Sequence, residues 1–554
     1  MLEKLFFQKF QRKSNYLLLI FLFFFQSISL GFSNTGTNSQ FIINSQSHFR
    51  NCIYLTEWSG YNESFPSDIP INYVTNIFYA FAKIDESSFA VSLADPYIAL
   101  EKVIPFKKEN LFNYFQTNED QIQFYSAGLI GQLSQMRKIN PNIEISLSIG
   151  GAETSGIFRK ITKSFNSIQS FVDSTIILML RYGFDGVDID WEYPETESDS
   201  KGFTKLIKYL RSQLDCVEEF LLNSQNLHQK FLLTTALPAS KYYLKNYKIN
   251  EVINSLSFIN LMGYDFRGPW SKKAGFHSNL FNPNLKYGWK PSSKNEESIS
   301  VSEAIDYIID KKKIDSQKII LGMPLYGREF KIKSHLIQYN ENGSPFFDIS
   351  KLYTGDGLQF SKIENNNDAD IILYKDLPMN NSLEIHDTNL SASMCYNNET
   401  GSFVTYDTVD SVIEKSNYII SKNLGGGMWW DASGDPFLSN PSRSLPINFF
   451  NYVNEGIGAM NEADKNIEAD RMTLKYSYCS ELTNFEDTSK IIQDYKNKVQ
   501  QYNELTNQNV ESLISQYKDS TCSNSAGFKN SGISRMLTPS HSLLKYLILW
   551  FLCT

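Results

Sequence analysis

Residues 182–194 read YGFDGVDIDWEYP and place four carboxylates, Asp185, Asp188, Asp190 and Glu192, among Phe184, Val187, Ile189 and Trp191. Alternate residues of a strand share a face, so Asp188, Asp190 and Glu192 point one way while Val187, Ile189 and Trp191 point the other. Neighbours in such a column lie about 7 Å apart. Like charges at that spacing, poorly hydrated, raise at least one pKa and leave one group protonated near neutrality. That state suits a general acid, and Glu192, uppermost and longest, is the expected proton donor. Asp190 is expected to hydrogen-bond Glu192, and Asp188 to share a proton with Asp190 from below. Asp185 breaks the parity and reads as scaffold, a backbone cap at the strand start. Three interior carboxylates are costly as mere structure. A metal site is the other functional reading, but none of the six histidines stands near these strand ends in ligand spacing, so no metal and no cofactor is expected.

Seven further apolar runs, rich in β-branched and aromatic residues, share this character: residues 52–58, 75–84, 143–151, 231–238, 257–265, 318–327 and 425–431. Between them lie longer stretches such as FNSIQSFVDSTIILMLRYG, with apolar spacing near 3.6. Strands alternating with helices predict a parallel sheet, and eight such units predict a closed (β/α)8 barrel. Trp58, Asp190, Glu192, Tyr264, Asp265, Tyr326, Arg328, Trp430 and Asp431 fall at or just after strand ends, on the face where barrels build their sites. Residues 330–410, polar and Asn-rich, read as a small α+β insertion between strands 7 and 8 of a catalytic domain spanning 50–452.

The composition is globular, at 42% hydrophobic and 20% charged residues, and 52 basic against 60 acidic residues give a net charge of −8. No basic patch invites a nucleic acid. Lys9, Arg12 and Lys13 precede the apolar run 16–25 and the small residues of SISLG, the layout of a secretory signal over 1–31. The competing reading, an uncleaved anchor, meets a run short of the roughly 20 residues of a membrane span. Five sequons, at Asn62, Asn342, Asn380, Asn389 and Asn398, are glycosylation candidates that agree with secretion to the cell exterior or wall. Six cysteines show no metal-ligand spacing, and Cys479–Cys522 is a candidate bridge. Residues 453–530 form a polar tail, weakly helical or disordered. Residues 531–554 follow the order of a lipid-anchor attachment signal, the one expected membrane link; the alternative is a docked or frayed terminal helix.

With these residues in view, DGVDIDWEYP resembles the D-x-x-D-x-D-x-E signature of family 18 glycoside hydrolases, the chitinases. The resemblance continues through SIGG (148–151), MGYD (262–265), GMPLYGREF (322–330) and GGGMWWDASGD (425–435), and spans roughly residues 52–450. LYKDLP and MWWDASGD are most similar to the fungal, exochitinase-type branch. The resemblance implies a retaining, substrate-assisted hydrolysis of β-1,4-linked N-acetylglucosamine, one of the exceptions to the two-carboxylate rule. It assigns proton donation to Glu192. Asp190, backed by Asp188, would stabilise a 2-acetamido group acting as nucleophile, and Tyr264 would orient it. It further implies a tryptophan floor at Trp430 and cleft aromatics at Tyr54, Trp58 and Phe81. Gly151, Met262, Asp265, Tyr326 and Arg328 would line the sugar subsites. The expected partner is chitin or its oligosaccharides, bound by a monomer. An endo-β-N-acetylglucosaminidase acting on glycoproteins would share the mechanism. A non-catalytic chitin-binding wall protein would keep the aromatics without needing Asp190, Glu192 and Tyr264 together.

The chain departs from the family pattern at Ala152, where a tryptophan often follows SIGG and stacks on a product-side sugar. Ala152→Trp is expected to tighten oligosaccharide binding, measured by calorimetry and product pattern; unchanged affinity and products would count against a missing platform.

Overall fold

The computed structural model describes residues 49–105, 125–225, 229–271, 273–283, 299–332, 337–339, 341–342, 345–347, 360–361 and 370–455. The signal at 1–31, the lipid-anchor segment at 531–554, the tail beyond residue 455 and the Cys479–Cys522 pair lie outside them.

The eight apolar runs form β1 (Arg50–Thr56), β2 (Asn76–Ile84), β3 (Glu144–Gly151), β4 (Gly186–Trp191), β5 (Leu232–Pro238), β6 (Phe258–Met262), β7 (Ile319–Pro324) and β8 (Gly426–Trp430). Each pairs in parallel with the next, and β8 returns to pair with β1, so the sheet closes into a (β/α)8 barrel. Parity divides the apolar residues between two layers. Ile53, Leu55, Ile77, Tyr79, Val187, Ile189, Trp191, Leu233, Ile259, Leu321 and Trp429 pack outward into the large core shared with the helices. Cys52, Tyr54, Phe78, Leu232, Phe258, Ile320 and Met428 fill the barrel interior.

The helices follow from local signals. The helix α1 (Phe165–Arg181) begins where the Ser164 hydroxyl accepts the Ser167 amide, and it buries Ile168, Phe171, Val172, Thr175, Ile176 and Met179 at three- and four-residue spacing. The longer α2 (Glu197–Gln225) links β4 to β5. Among the described residues no helix is long and apolar enough to cross a membrane.

Between β7 and β8 the chain builds an antiparallel sheet in which Tyr326–Ile332 pairs with Ser402–Tyr406, Ile371–Leu373 and Phe360–Ser361. Ala392–Asn397 and Leu383–Asp387 extend it at the other edge. Its small core joins Phe330, Ile332, Met394, Tyr396 and Phe403 to Ala274 and Phe276 of the β6–β7 connection. The run 318–327, expected as one strand, is two. Pro324 lacks an N–H and ends β7, Leu325 donates its amide to the Trp430 carbonyl at 2.7 Å, and Tyr326 already belongs to the insertion sheet. That sheet therefore begins four residues before the expected boundary at 330. Glu57 and Trp58, expected on the first strand, sit in a 3-10 helix (Glu57–Asn62) beyond it. Cys216 is disulfide-bonded, whereas Cys52 and Cys395 are free and buried.

Trp191 is wholly buried, stacks on Phe158 at 5.3 Å and donates its indole N–H to the Ser155 hydroxyl. Trp191→Ala should cost about 3–5 kcal/mol of stability by urea unfolding; a loss below about 1 kcal/mol would mean the outward row of β4 is not part of the packed core.

Candidate active site

The inward column of β4 stands at the centre of the barrel. Asp188 is fully buried, and its two oxygens are taken up by three hydroxyls: Tyr54 at 2.8 Å and Ser148 at 2.7 Å on Oδ2, Thr234 at 2.7 Å on Oδ1. Burial pushes its pKa up and the three donors pull it down, the upward shift prevailing. The expected proton sharing between Asp188 and Asp190 is not what the geometry shows, because the Asp188 oxygens are already occupied by these donors. Asp190, one step nearer the mouth, is buried and its Oδ1 has no hydrogen-bond partner. Burial, then the charges of Glu192 and Asp188, drive its pKa well above the usual carboxylate range. Glu192, just past the strand, is also raised by burial, with the Tyr193 hydroxyl pulling back and Asp265 adding to the rise. No hydrogen bond joins Asp190 to Glu192. Burial drives both toward the neutral form, and the two titrate as a pair. Asp185 sits at the far end of β4, where its Oδ2 accepts the Ile145 amide at 2.7 Å and the Arg137 guanidinium at 2.6 Å.

A second wall comes from β6, the start of the insertion sheet and its strand edge. Tyr264 lines the cleft almost completely buried, its hydroxyl without a protein partner among the described residues; burial and the nearby carboxylates raise its pKa far above that of a free phenol, so it is a donor. Asp265, at φ 61°, receives the Tyr326 hydroxyl at 2.7 Å and Arg328 Nε at 2.9 Å on one oxygen. Arg328 turns its other edge to Asp370 at 2.8 Å, so one guanidinium bridges Asp265 and the insertion. His277, fully buried 3.8 Å from Asp265, is pushed down to about 3 by desolvation and stays neutral, so it forms no ion pair there.

These walls enclose one cleft of about 1490 Å³. It brings together Tyr54, Trp58, Phe81, Asp190, Glu192, Met262, Tyr264, Asp265, Tyr326, Arg328 and Trp430 of the expected site residues. Trp430 stacks against Phe81 at 5.7 Å and leans on Tyr54 at 5.2 Å. Phe81 in turn meets Trp58, which is 51% exposed. Tyr54 is less a platform than expected: its ring is buried to 1% and its hydroxyl is spent on Asp188. Gly151 is not itself a lining residue. Its φ of 89° and a Cβ that would come within 2.6 Å of the Phe81 ring explain why no side chain is tolerated there, and Gly150 at φ 129° likewise has Asp190 backbone 1.9 Å from a would-be Cβ. Ala152 lines the cleft and is exposed. Of the sequons, Asn62, Asn342, Asn380 and Asn389 are exposed and Asn398 is half-buried. Among the described residues no cluster of three His, Cys, Asp or Glu is placed to hold a metal ion.

Several contributors escaped the sequence reading. Ser148 and Thr234 stand beside Asp188 in strand register, and the inward parity of ISLSIGG and LLTTALP was a signal that could have found them. Trp270, 60% exposed under the Arg328 guanidinium at 4.9 Å, lies after β6, and the pair Tyr242 and Tyr243 lies on the short helix Lys241–Leu244 after β5. Asp370 carries no local signal. Removing it by Asp370→Ala would leave a nearly buried guanidinium half-paired and should lower stability by about 2–5 kcal/mol, with Asp370→Asn costing less. A urea midpoint unchanged in both variants would show that Arg328 does not depend on the insertion.

Comparison with known proteins agrees with this geometry. Residues 50–435 match the family described as "Glycosyl hydrolases family 18". The chain is 33% identical over 435 residues to sporulation-specific chitinase 2 of Saccharomyces cerevisiae, covering 76% of this chain and 81% of the relative. It is 30% identical to endochitinase 1 of Metarhizium robertsii, covering 70% and 81%. Two solved structures share the fold: the catalytic domain of chitinase B from Arthrobacter TAD20 (TM-score 0.59, 23% identity, 74% of this chain and 96% of that one) and the Cycas revoluta chitinase in complex with (GlcNAc)3 (TM-score 0.53, 22% identity, 72% and 98%). A closed barrel whose fourth strand carries the acidic column, matched over most of its length, makes this chain a member of glycosyl hydrolase family 18, of the fungal chitinase type.

Proposed function

We propose that the protein is a secreted chitinase that hydrolyses β-1,4-linked N-acetylglucosamine with retention, the substrate's own acetamido group acting as nucleophile. The observation that carries this reading is the arrangement around Asp190. The buried Asp190 carboxyl, Glu192 one residue beyond the strand, and a Tyr264 hydroxyl without a protein partner among the described residues line the same cleft as Trp430.

In this mechanism the sugar lies on Trp430. Tyr264 donates to the acetamido oxygen and holds it beneath the anomeric carbon. With the pair's single proton on Glu192, Asp190 is ionised; it accepts from the acetamido N–H and stabilises the positive charge that grows there as Glu192 gives its proton to the glycosidic oxygen. The acetamido oxygen closes on the anomeric carbon as the bond to the leaving sugar breaks, and the product is an oxazolinium ion. Glu192, now a carboxylate, takes a proton from water, which opens the ring from the same face. One proton distributed over the Asp190–Glu192 pair is the working state, and desolvation, which raises both groups, keeps that proton available above the usual carboxylate range. The Cycas relative binds (GlcNAc)3, a ligand of the chemistry this cleft suits. The same reading has the chain exported by its N-terminus to the cell surface or wall, the C-terminal segment serving as a lipid-anchor signal, and the enzyme acting as a monomer.

Wild type should hydrolyse a fluorogenic chitobioside, and Glu192→Gln should lose at least about 100-fold in kcat while still binding chitooligosaccharide. Inert wild type, or an equally active variant, would end the assignment. The rate should be bell-shaped in pH. Both carboxyls are raised, so the doubly protonated pair disables the acidic side, and loss of the last proton on the alkaline side should fall above the ordinary carboxylate value of about 4. A profile flat through neutrality would contradict the paired-carboxylate account.

A further inference from the structure

We propose that Asn62 carries an N-linked glycan that caps one end of the substrate cleft. Asn62 opens the sequon Asn62-Glu63-Ser64, is exposed, and is one of the cleft-lining residues. It closes the 3-10 helix Glu57–Asn62, on which Trp58 lines the same cleft. Glu63 follows in the left-handed region at φ 58° and closes the turn by donating its amide to the Ser59 carbonyl, so the helix stops at Asn62.

That turn is fixed in place. The Ser59 hydroxyl donates to the Thr56 carbonyl at 2.7 Å and reaches the Ser64 carbonyl at 3.3 Å, closing the turn. The Lys102 ammonium donates to the Gly60 carbonyl at 3.0 Å, and the Tyr61 hydroxyl is held by Asp95. A glycan attached here therefore starts from a rigid point instead of swinging away on a loose loop. Strand order adds the direction. The loop after β1 stands across the mouth from the loop after β5, which carries Tyr242, so a bulky group at Asn62 closes one end of the cleft and leaves the opposite end open.

The modification is a group transfer with balanced chemistry. A lipid-diphosphate oligosaccharide gives up its C1–O bond, the Asn62 Nδ2–C1 bond forms, one amide proton is lost, and the lipid diphosphate leaves. The two sugars attached first are β-1,4-linked N-acetylglucosamines, the linkage named in the proposed function. Beside the exposed face of Trp58 they compete with a long substrate for the same aromatic surface. The proposal rests on the secretory and chitinase readings, and each arm of its test fails separately.

The full chain is secreted from a glycosylating eukaryotic host, and the peptide spanning residues 61–64 is examined by mass spectrometry. Wild type is then compared with the enzymatically deglycosylated protein, with Asn62→Gln, and with Ser64→Ala, which removes the sequon while keeping Asn62 and the Ser64 carbonyl. The expected result is occupied Asn62 in wild type. The ratio of kcat/KM on chitohexaose to that on a chitobioside should then rise roughly threefold or more in the three glycan-free forms. An unmodified Asn62, or an unchanged ratio, overturns the proposal. If no form hydrolyses either sugar, the catalytic reading has failed instead. The cap is then judged by chitohexaose affinity in calorimetry, where equal Kd with and without the glycan overturns it.

Discussion

Three hydroxyls around one buried carboxylate hold this site together. Tyr54, Ser148 and Thr234 come from three different strands, β1, β3 and β5, and all donate to Asp188. A carboxylate with no exposure is tolerable in a barrel interior only when its lone pairs are met. Once they are met, Asp188 is anchored at the base of the column with both oxygens engaged. Asp190, one step up and without such donors, is driven toward its neutral form by burial first and by the charges of Glu192 and Asp188 after it. The strand register that places Ser148, Asp188 and Thr234 side by side thus sets which carboxyl of the column has its lone pairs met.

The barrel and this column were legible in the sequence because both obey a two-residue period. Val187, Ile189 and Trp191 announce an outward apolar row, and Asp188 and Asp190 an inward polar one. Parity alone could not say how the inward groups would be satisfied. It suggested a chain of shared protons, whereas hydroxyls on neighbouring strands satisfy Asp188 and leave Asp190 alone. Those hydroxyls had the same parity signal, but it becomes meaningful only when register is known. The break at Pro324 was readable from proline chemistry; the attachment of Tyr326 to a different sheet was not, because a two-strand hand-over leaves no period of its own.

Asp370 shows the other limit. It lies 42 residues from Arg328, within a segment whose composition is merely polar, yet it takes one edge of that guanidinium while Asp265 takes the other. A long-range pair of this kind has no local pattern. Its physical effect is large, because a planar guanidinium held at both edges cannot rotate, and it fixes Asp265 and Tyr326 with it. The insertion is therefore more than a wall added to the barrel, since its edge strand completes the electrostatics of the catalytic mouth.

The mouth itself is asymmetric in a way that follows from these constraints. On the side of β1, β2 and β8, Trp58, Phe81 and Trp430 form a continuous run of rings over a rigid rim. On the side of β3 the position next to Gly151 is only Ala152, and aromatic surface reappears further round at Tyr242, Tyr243 and Trp270. Stacking is roughly additive along a sugar chain while rings are contiguous, and a gap forces the chain to bridge open solvent. The aromatic lining is thus continuous from Trp58 through Phe81 to Trp430 and interrupted at Ala152, so the two halves of the mouth offer unequal stacking surface.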